Sequence, residues 1–320
     1  MTFKLMLIAV SAVLSTDAGM FAALRDADLR LATIAWRLAT TNAALCDRLA
    51  PTPGLAIHAI GQYDPALRTQ ARAEFGFETP VAVEGVVAGS AAARAGVLQN
   101  DGLIAVNGEP FASEASSRAD GAGRDAAAAL LARQPAGRSL ALSLARGGEL
   151  VDVMVAASPG CRSAFEVLLG SKMEASSDGT IVQIGVRFFE RYDDEQVAVV
   201  VAHELAHTIL RHRERLEAAG VKRGLLAEVG RNGRLFRRTE SEADMLGMHL
   251  LRNAGYDPHV AVRFWRDHGG DVDGGLFRSR THPSSKARAA AIEAAIAALP
   301  TDAPRPYRPP MLATRDMPLD

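Results

Sequence analysis

This sequence of 320 residues has few aromatic residues, two cysteines and almost no net charge. Its 36 basic and 37 acidic side chains leave a formal net charge of −1, whereas nucleic-acid-binding proteins usually carry a basic surface. We therefore expect no nucleic-acid partner. Apolar residues make up 48% of the chain, which is enough for packed cores, and the length allows two ordinary domains.

The apolar run at the N-terminus is too short to cross a membrane. Residues 5–14 would span about 15 Å as a helix, which is half of a bilayer core. Small residues follow this run, so residues 1–18 are predicted to be a secretory signal peptide, and the protein to be periplasmic or secreted and to act in the cell envelope. An ordinary buried N-terminal helix is the alternative.

The two cysteines, Cys46 and Cys161, are too far apart in sequence to form a CxxC redox or zinc motif. In an exported protein such a pair predicts a disulfide that ties the N-terminal segment to the C-terminal half. Two buried free thiols are the alternative. The sequence leaves both open.

The motif HELAH supplies the most informative residues of the chain. His203 and His207 are four residues apart, so they share one face of a helix and can bind one metal ion. Glu204 can act as the general base on a water at an open coordination position. The apolar residues 197–202 precede the motif and favour a buried active-site helix over a solvated one.

A catalytic zinc site needs a third protein ligand, and the segment TESEADMLG offers one. Glu240 and Asp244 are again four residues apart. One carboxylate can bind the metal while the other accepts a hydrogen bond from a ligand imidazole. Glu242 competes for the ligand role, although it lies on a different helix face. A solvated acidic helix face is the alternative for the whole segment.

The segment THPSSKAR places His282 before a proline, at the expected entry to a helix. Its imidazole could donate to the oxyanion of a tetrahedral intermediate. Because single histidines are more often structural, this role depends on the neighbouring motifs.

Together these motifs resemble the gluzincin metallopeptidases of the family that contains HtpX, BepA and the CAAX prenyl proteases. The resemblance runs from about residue 164 to residue 296 and favours the soluble periplasmic branch. It implies one Zn²⁺ per chain, bound by His203, His207 and Glu240, with Glu204 as the base. It also implies supporting or catalytic roles for Asp244, His282 and Arg288, and a substrate-pairing edge strand at residues 180–189.

Residues 75–111 resemble a PDZ domain of the bacterial protease type. Phe75, Gly76 and Phe77 look like the loop whose backbone N–H groups bind a peptide C-terminus, and GSAAARAGVLQNDGLIAVNGEPF looks like the following stretch. A peptide would add to such a module as an extra strand. A spacer without a ligand is the alternative.

The predicted fold class is α+β: a mainly helical zincin metallopeptidase domain with a small edge sheet, plus a β-rich PDZ module. After the signal peptide, the expected divisions are 19–72 (a helix and a strand of the peptidase domain), 73–157 (PDZ), 158–300 (peptidase) and 301–320 (a disordered, proline-rich tail).

The expected function is zinc-dependent endopeptidase activity on misfolded or envelope proteins, with the PDZ module recognising or gating them. The expected partners are protein or peptide substrates, membrane-associated proteins among them. A latent protease that works as a chaperone or adaptor is one alternative, and an exopeptidase that trims short peptides is another.

Overall fold

The computed structural model describes residues 3–112, 117–221, 230–272 and 283–319, with side chains from residue 19 onward. Its helices are α1 (Phe3–Thr41), α2 (Arg68–Phe75), α3 (Ala91–Arg94), α4 (Ala122–Ala132), α5 (Val186–Arg191), α6 (Asp194–Ile209), α7 (His212–Ala218), α8 (Gly230–Asn253), α9 (His259–Asp267), α10 (Gly269–Val272) and α11 (Ser285–Ala297). Among the described residues, no helix is long and apolar enough to span a bilayer.

The strands are β1 (Leu49–Thr52), β2 (Leu55–Ala59), β3 (Val81–Val86), β4 (Gly102–Val106), β5 (Glu109–Pro110), β6 (Leu140–Arg146), β7 (Glu149–Val155), β8 (Ser158–Cys161), β9 (Ala164–Leu168), β10 (Ala175–Ser177) and β11 (Ile181–Gly185). The chain divides into two compact units. Unit 1 consists of Met1–Thr33 and Ala50–Pro159, and unit 2 consists of Ile34–Leu49 and Gly160–Asp320. Strands β1 and β8 pair with each other.

Unit 1 is built on a six-stranded sheet with the order β2-β3-β4-β6-β7, and β5 pairs with β4. Leu140, Leu142 and Leu144 alternate with more exposed residues along β6, so one face of that strand enters the core. Alternating apolar residues on both sides of Gly147 and Gly148 predict a hairpin, and β6 and β7 form it, with positive φ at both glycines.

Of residues 19–72, which are expected in the peptidase domain, residues 19–33 and 50–72 lie in unit 1 instead. Strand β2 belongs there because it pairs antiparallel with β3 over its whole length, with a register shift between Ala56 and Ile57. A strand of five residues carries no sequence signal that identifies its partner, so its domain could not be assigned from its pattern.

The structure contradicts the peptide-binding role expected for Phe75, Gly76 and Phe77. Phe75 ends α2, Gly76 caps it in the left-handed conformation, and both phenylalanine rings are buried. The next strand, β3, lies between β2 and β4, so both of its edges are already paired. A peptide cannot add to an interior strand as an extra strand.

Unit 2 combines packed helices with a three-stranded sheet of order β10-β11-β9. The prediction of an edge strand at 180–189 is wrong. Strand β11 is the central strand of this sheet, parallel to β9 and antiparallel to β10. It also ends at Gly185, where a Cβ would lie 3.0 Å from the carbonyl oxygen of Glu174. The chain then enters α5, so residues 186–189 are helical.

The proline-rich tail is ordered up to residue 319, contrary to the predicted disorder of residues 301–320. Asn253 donates to the Tyr307 carbonyl (3.1 Å) and accepts from the Tyr307 N–H (2.8 Å). Leu312 and Leu319 are only 3% and 1% exposed. These two leucines provide apolar burial that offsets the cost of ordering the segment.

A disulfide joins Cys46 and Cys161 within unit 2, with a Cα–Cα distance of 5.4 Å. Of the two alternatives left open by the sequence, the structure contains the bridge rather than two thiols. It closes a loop with a sequence separation of 115 residues, and long loops of this kind lose the most entropy in the unfolded chain.

Candidate metal centre

Helix α6, which carries the HELAH motif, has a capped N-terminus. The Asp193 side chain accepts from the Gln196 N–H at 2.9 Å, while the Gln196 side chain accepts from the Asp193 N–H at 3.2 Å. This reciprocal cap satisfies two N–H groups that the first turn leaves without partners. The apolar residues that follow are buried, and so are His203 and Glu204, which are 8% and 9% exposed.

Helix α8 supplies the carboxylates. Glu240 and Asp244 are one turn apart on its buried face, and α8 packs along α6. Close approach depends on Gly247, where a Cβ would lie 3.3 Å from the backbone nitrogen of His203. A larger residue there would push the two helices apart and separate the histidines from Glu240.

The three predicted ligands converge. The Nε2 atoms of His203 and His207 are 3.1 Å apart, and the Glu240 carboxylate lies 3.2 Å from the first and 3.5 Å from the second. Among the described residues, these three side chains form the group that could hold a metal ion, with ligand atoms within 4.8 Å of one another. Two imidazoles and a carboxylate are the donor set of one class of catalytic zinc site, so the residues fit zinc.

Asp244 and Arg288 hold the first histidine from behind. Asp244 Oδ1 lies 3.1 Å from His203 Nδ1, and Arg288 donates to both oxygens of Asp244 at 2.6 and 2.7 Å. The guanidinium carbon of Arg288 also lies 3.3 Å from the centre of the Trp265 ring. A bidentate pair of this kind fixes the orientation of the carboxylate, and through it that of the imidazole.

The electrostatics of this group follow from its contacts. Burial alone would raise the pKa of Asp244, but the charge of Arg288 and the hydrogen bond to His203 outweigh burial and lower it. Burial lowers the pKa of His203, yet the bonds to Asp244 and Glu240 raise it overall to about 9. A metal ion bound here must displace that proton, because only neutral imidazole coordinates metal.

The second histidine has a different support, which the sequence did not reveal. His207 Nδ1 lies 2.9 Å from His212 Nδ1, and His212 Nε2 lies 3.2 Å from Glu242. Burial lowers the pKa of both histidines. Burial would raise the pKa of Glu242, but hydrogen bonds from His212, Arg215 and Arg238 lower it to about 2. Glu242, considered as a rival ligand, therefore contacts His212 rather than the ligand atoms.

The other residues predicted for the site are Glu204, His282 and Arg288. Glu204 follows His203 on the buried end of α6, as the motif requires. His282 lies outside the described residues. Arg288, expected to assist substrate or transition state, is 4% exposed and bound to Asp244 on both oxygens. Its position corrects that expectation, because a guanidinium enclosed in this way positions Asp244 instead of contacting a substrate.

Comparisons with known proteins match parts of this chain. Residues 227–296 match the sequence model described as Peptidase family M48, a range that contains Glu240, Asp244 and Arg288 and begins after HELAH. Two similar relatives are each named "Mitochondrial metalloendopeptidase OMA1". The one from Schizosaccharomyces pombe is 30% identical over 121 residues, which is 31% of this chain and 36% of the relative. The one from Arabidopsis thaliana is 34% identical over 118 residues, which is 30% of this chain and 23% of the relative.

The chain thus spans about a third and about a quarter of the lengths of these two relatives. Both relatives carry a printed name that describes a metalloendopeptidase. A crystal structure of the HtrA3 PDZ domain bound to a phage-derived ligand (FGRWV) aligns with 35% of this chain and 88% of that chain, at 19% identity and a TM-score of 0.25. At this score the PDZ assignment of unit 1 continues to rest on its sequence motifs.

Proposed function

We propose that the protein is a zinc-dependent endopeptidase that hydrolyses polypeptides outside the cytoplasm. The observation that carries the proposal is the convergence of His203 Nε2, His207 Nε2 and the Glu240 carboxylate, with Glu204 on the same turn as the first ligand. A zinc ion at this position would make a bound water nucleophilic at neutral pH and polarise the scissile carbonyl.

The chain's own residues would supply the rest of the chemistry. Glu204 takes the proton of the attacking water and returns it to the leaving amine, which is the work of a general base and then a general acid. Asp244, held by Arg288, keeps His203 in the orientation in which Nε2 faces the ligand group. We also propose that His282 donates a hydrogen bond to the oxyanion; this role rests on the THP motif.

An extended substrate would pair with strand β10. This outer strand packs against α6, and Ser177 at its end shares a 2.8 Å hydrogen bond with Thr208, the residue after His207. Among the described residues no strand pairs with the other edge of β10, so its N–H and C=O groups can accept a peptide backbone. Pairing through the backbone would favour unfolded or extended polypeptides.

Two further parts of the proposal concern the compartment and the role of unit 1. The Cys46–Cys161 disulfide is typical of an oxidising compartment, which favours a periplasmic or secreted protein. Unit 1 is proposed to bind peptides or gate their access; its sheet leaves β2 and β7 as outer strands, and these replace the Phe75–Phe77 loop as candidates for peptide addition.

The decisive experiment compares Glu204→Gln with wild type for zinc content and for casein cleavage. Glu204→Gln should retain one zinc per chain and lose activity by about 10²–10⁴-fold, because it removes the proton acceptor and leaves the ligands in place. Glu217→Gln is the matched control, since Glu217 is exposed on α7 and pairs with Arg213. Full cleavage by Glu204→Gln would overturn the mechanism, and a wild-type protein that binds zinc but cleaves nothing would favour an adaptor.

A further inference from the structure

The second ring nitrogen of His207 has an unusual partner. Its Nε2 faces His203 and Glu240, as a metal ligand should, whereas its Nδ1 lies 2.9 Å from Nδ1 of another histidine, His212. The usual partner at that position is a carboxylate, a backbone carbonyl or a water. Two imidazole nitrogens at this distance can bond only if one carries the hydrogen and the other a lone pair.

The far side of His212 decides which nitrogen carries the hydrogen. His212 Nε2 lies 3.2 Å from Oε2 of Glu242, which also accepts from Arg215 (2.9 Å); the other oxygen of Glu242 accepts from Arg238 (2.9 Å). An ionised carboxylate held by two arginines can only accept. His212 Nε2 must therefore carry the hydrogen, which leaves the lone pair of neutral His212 on Nδ1.

The same logic then fixes His207. Because His212 Nδ1 accepts, His207 Nδ1 must be the donor and must carry the ring hydrogen. The lone pair of neutral His207 is then on Nε2, which faces the other two ligands. The chain of hydrogen bonds from Glu242 through His212 thus selects the one tautomer of His207 that can coordinate a metal through Nε2.

The backbone between the two histidines is also shaped for this contact. Helix α6 ends at Ile209, and Arg211 adopts a left-handed conformation with φ 54°, so that the chain turns and α7 begins at His212. Left-handed backbone is uncommon for arginine and persists where other contacts hold it. Arg211 is held by ion pairs to Asp47 and, at 2.8 Å, to Asp316.

We propose that His212 is a positioning residue for the metal centre, which holds His207 in its metal-binding tautomer and is itself held by Glu242. The inference rests on the proposed zinc site. It assigns different supports to the two ligand histidines: a carboxylate acts directly on His203, and a neutral imidazole acts on His207. It also explains why Glu242, one helical turn from Arg238, lies partly buried among cationic side chains without being a ligand.

The variants His212→Leu and His212→Asn test the proposal as a matched pair. Both side chains branch at Cγ and are close in size, but only asparagine offers an oxygen near the position of Nδ1. His212→Leu should weaken zinc binding about 10–100-fold, and His212→Asn should recover most of that loss. The zinc dissociation constant is measured by chelator competition, and the visible spectrum of the Co²⁺ form reports distortion of the ligand set.

His249→Phe is the control for loss of a buried histidine in the same unit. His249 lies five residues beyond Asp244 on α8 and packs against Tyr307 at 5.0 Å between ring centroids, so the zinc affinity of His249→Phe should match wild type. Equal losses in His212→Leu and His212→Asn would overturn the proposal, and so would wild-type affinity in His212→Leu.

A second measurement needs no variant. Imidazole ¹⁵N–¹H correlation spectra of zinc-loaded, histidine-labelled wild type should show His212 protonated on Nε2 and His207 on Nδ1. A hydrogen on Nδ1 of His212 would overturn the proposal even if a variant failed to fold. If wild type binds no zinc at all, the proposed function fails; if it binds zinc and cleaves protein while the His212 tests fail, only this inference fails.

Discussion

Each unit of this protein buries a pair made of one histidine and one carboxylate. In unit 1, His58 Nδ1 lies 3.6 Å from Glu84, and the two side chains are 2% and 4% exposed. In unit 2, His203 Nδ1 lies 3.1 Å from Asp244, and the side chains are 10% and 3% exposed. Residue types, spacing and burial are similar, yet the two pairs differ in charge.

The difference lies in what else contacts each pair. His58 stacks on Phe77 with 4.2 Å between ring centroids, and its Nε2 atom and Oε1 of Glu84 have no hydrogen-bond partner among the described residues. Burial lowers the pKa of His58 to about 3 and raises the pKa of Glu84 above its ordinary value, which favours the neutral forms of both. In unit 2, Arg288 donates to both oxygens of Asp244, and that pair stays ionised.

The comparison teaches that a buried histidine and carboxylate ionise when a third group shares the charge and satisfies the remaining oxygens. Arg25 and Arg124 also lower the pKa of Glu84, but burial and the nearby Asp28 outweigh them. Unit 2 thus keeps an ionised carboxylate beside a ligand histidine, whereas unit 1 has an apolar aromatic cluster with polar atoms enclosed in it.

The largest effect should come from removing Arg288. Arg288→Met leaves the Asp244 carboxylate buried without its cation, so unit 2 should lose about 3–5 kcal/mol of unfolding free energy. Urea denaturation followed by tryptophan fluorescence measures this, because Trp36 and Trp265 both lie in unit 2. Arg266→Met is the control, since its pair with Glu293 is exposed and should contribute less than about 1 kcal/mol. Equal losses of unfolding free energy in Arg288→Met and Arg266→Met would contradict the role assigned to Arg288 in keeping Asp244 ionised.

A smaller effect should appear in unit 1 at acid pH. The folded pKa of His58 is depressed, so its contribution to stability is present above the unfolded value of 6.5 and is lost as pH falls towards about 3. At pH 5 the loss should be about 2 kcal/mol, from the difference in proton uptake. Hydrogen exchange of the β3 and β6 amides, corrected for intrinsic rates, measures it. His58→Phe should abolish this pH dependence, and its persistence would assign the effect elsewhere.

The smallest effect should come from Glu84→Gln. A raised folded pKa means that the contribution of Glu84 is present below its unfolded value of 4.5 and is lost as pH rises through the folded pKa. At pH 8 the glutamine variant should therefore stabilise unit 1 by about 1 kcal/mol, and the gain should vanish at pH 4. Glu149→Gln, exposed on β7, is the control. Destabilisation of unit 1 at pH 8 would show that the carboxylate is charged and paired.

The sequence was most informative where spacing fixes geometry. The i, i+4 pairs of HELAH and ExxxD place His203, His207, Glu240 and Asp244 on helix faces that can meet, and the two glycines at 147–148 specify a hairpin. These predictions depend on local periodicity, which is encoded within a few residues. The structure contains the ligand group, the contact of Asp244 with His203 and the hairpin.

The errors concern tertiary partners. Strand β11 has the same pattern whether it lies at an edge or at the centre, and only its pairing with both β9 and β10 decides the matter. His212 stands five residues after His207, a spacing that points away from the ligand face in a continuous helix. The left-handed turn at Arg211 brings it back, and arginine gives little signal for such a turn.

The ordered C-terminal segment has a consequence for the order of events during synthesis. Arg215, which holds Glu242, donates to the Met317 carbonyl at 3.1 Å, and Leu319 packs with Val221 and Leu235. The ribosome makes Met317 and Leu319 more than seventy positions after Glu240, and domains fold as their chain emerges. The ligands of the metal are thus present in the nascent chain well before their supports are complete. A competent metal centre is therefore expected as one of the last features to form, once the segment up to residue 319 is available to pack.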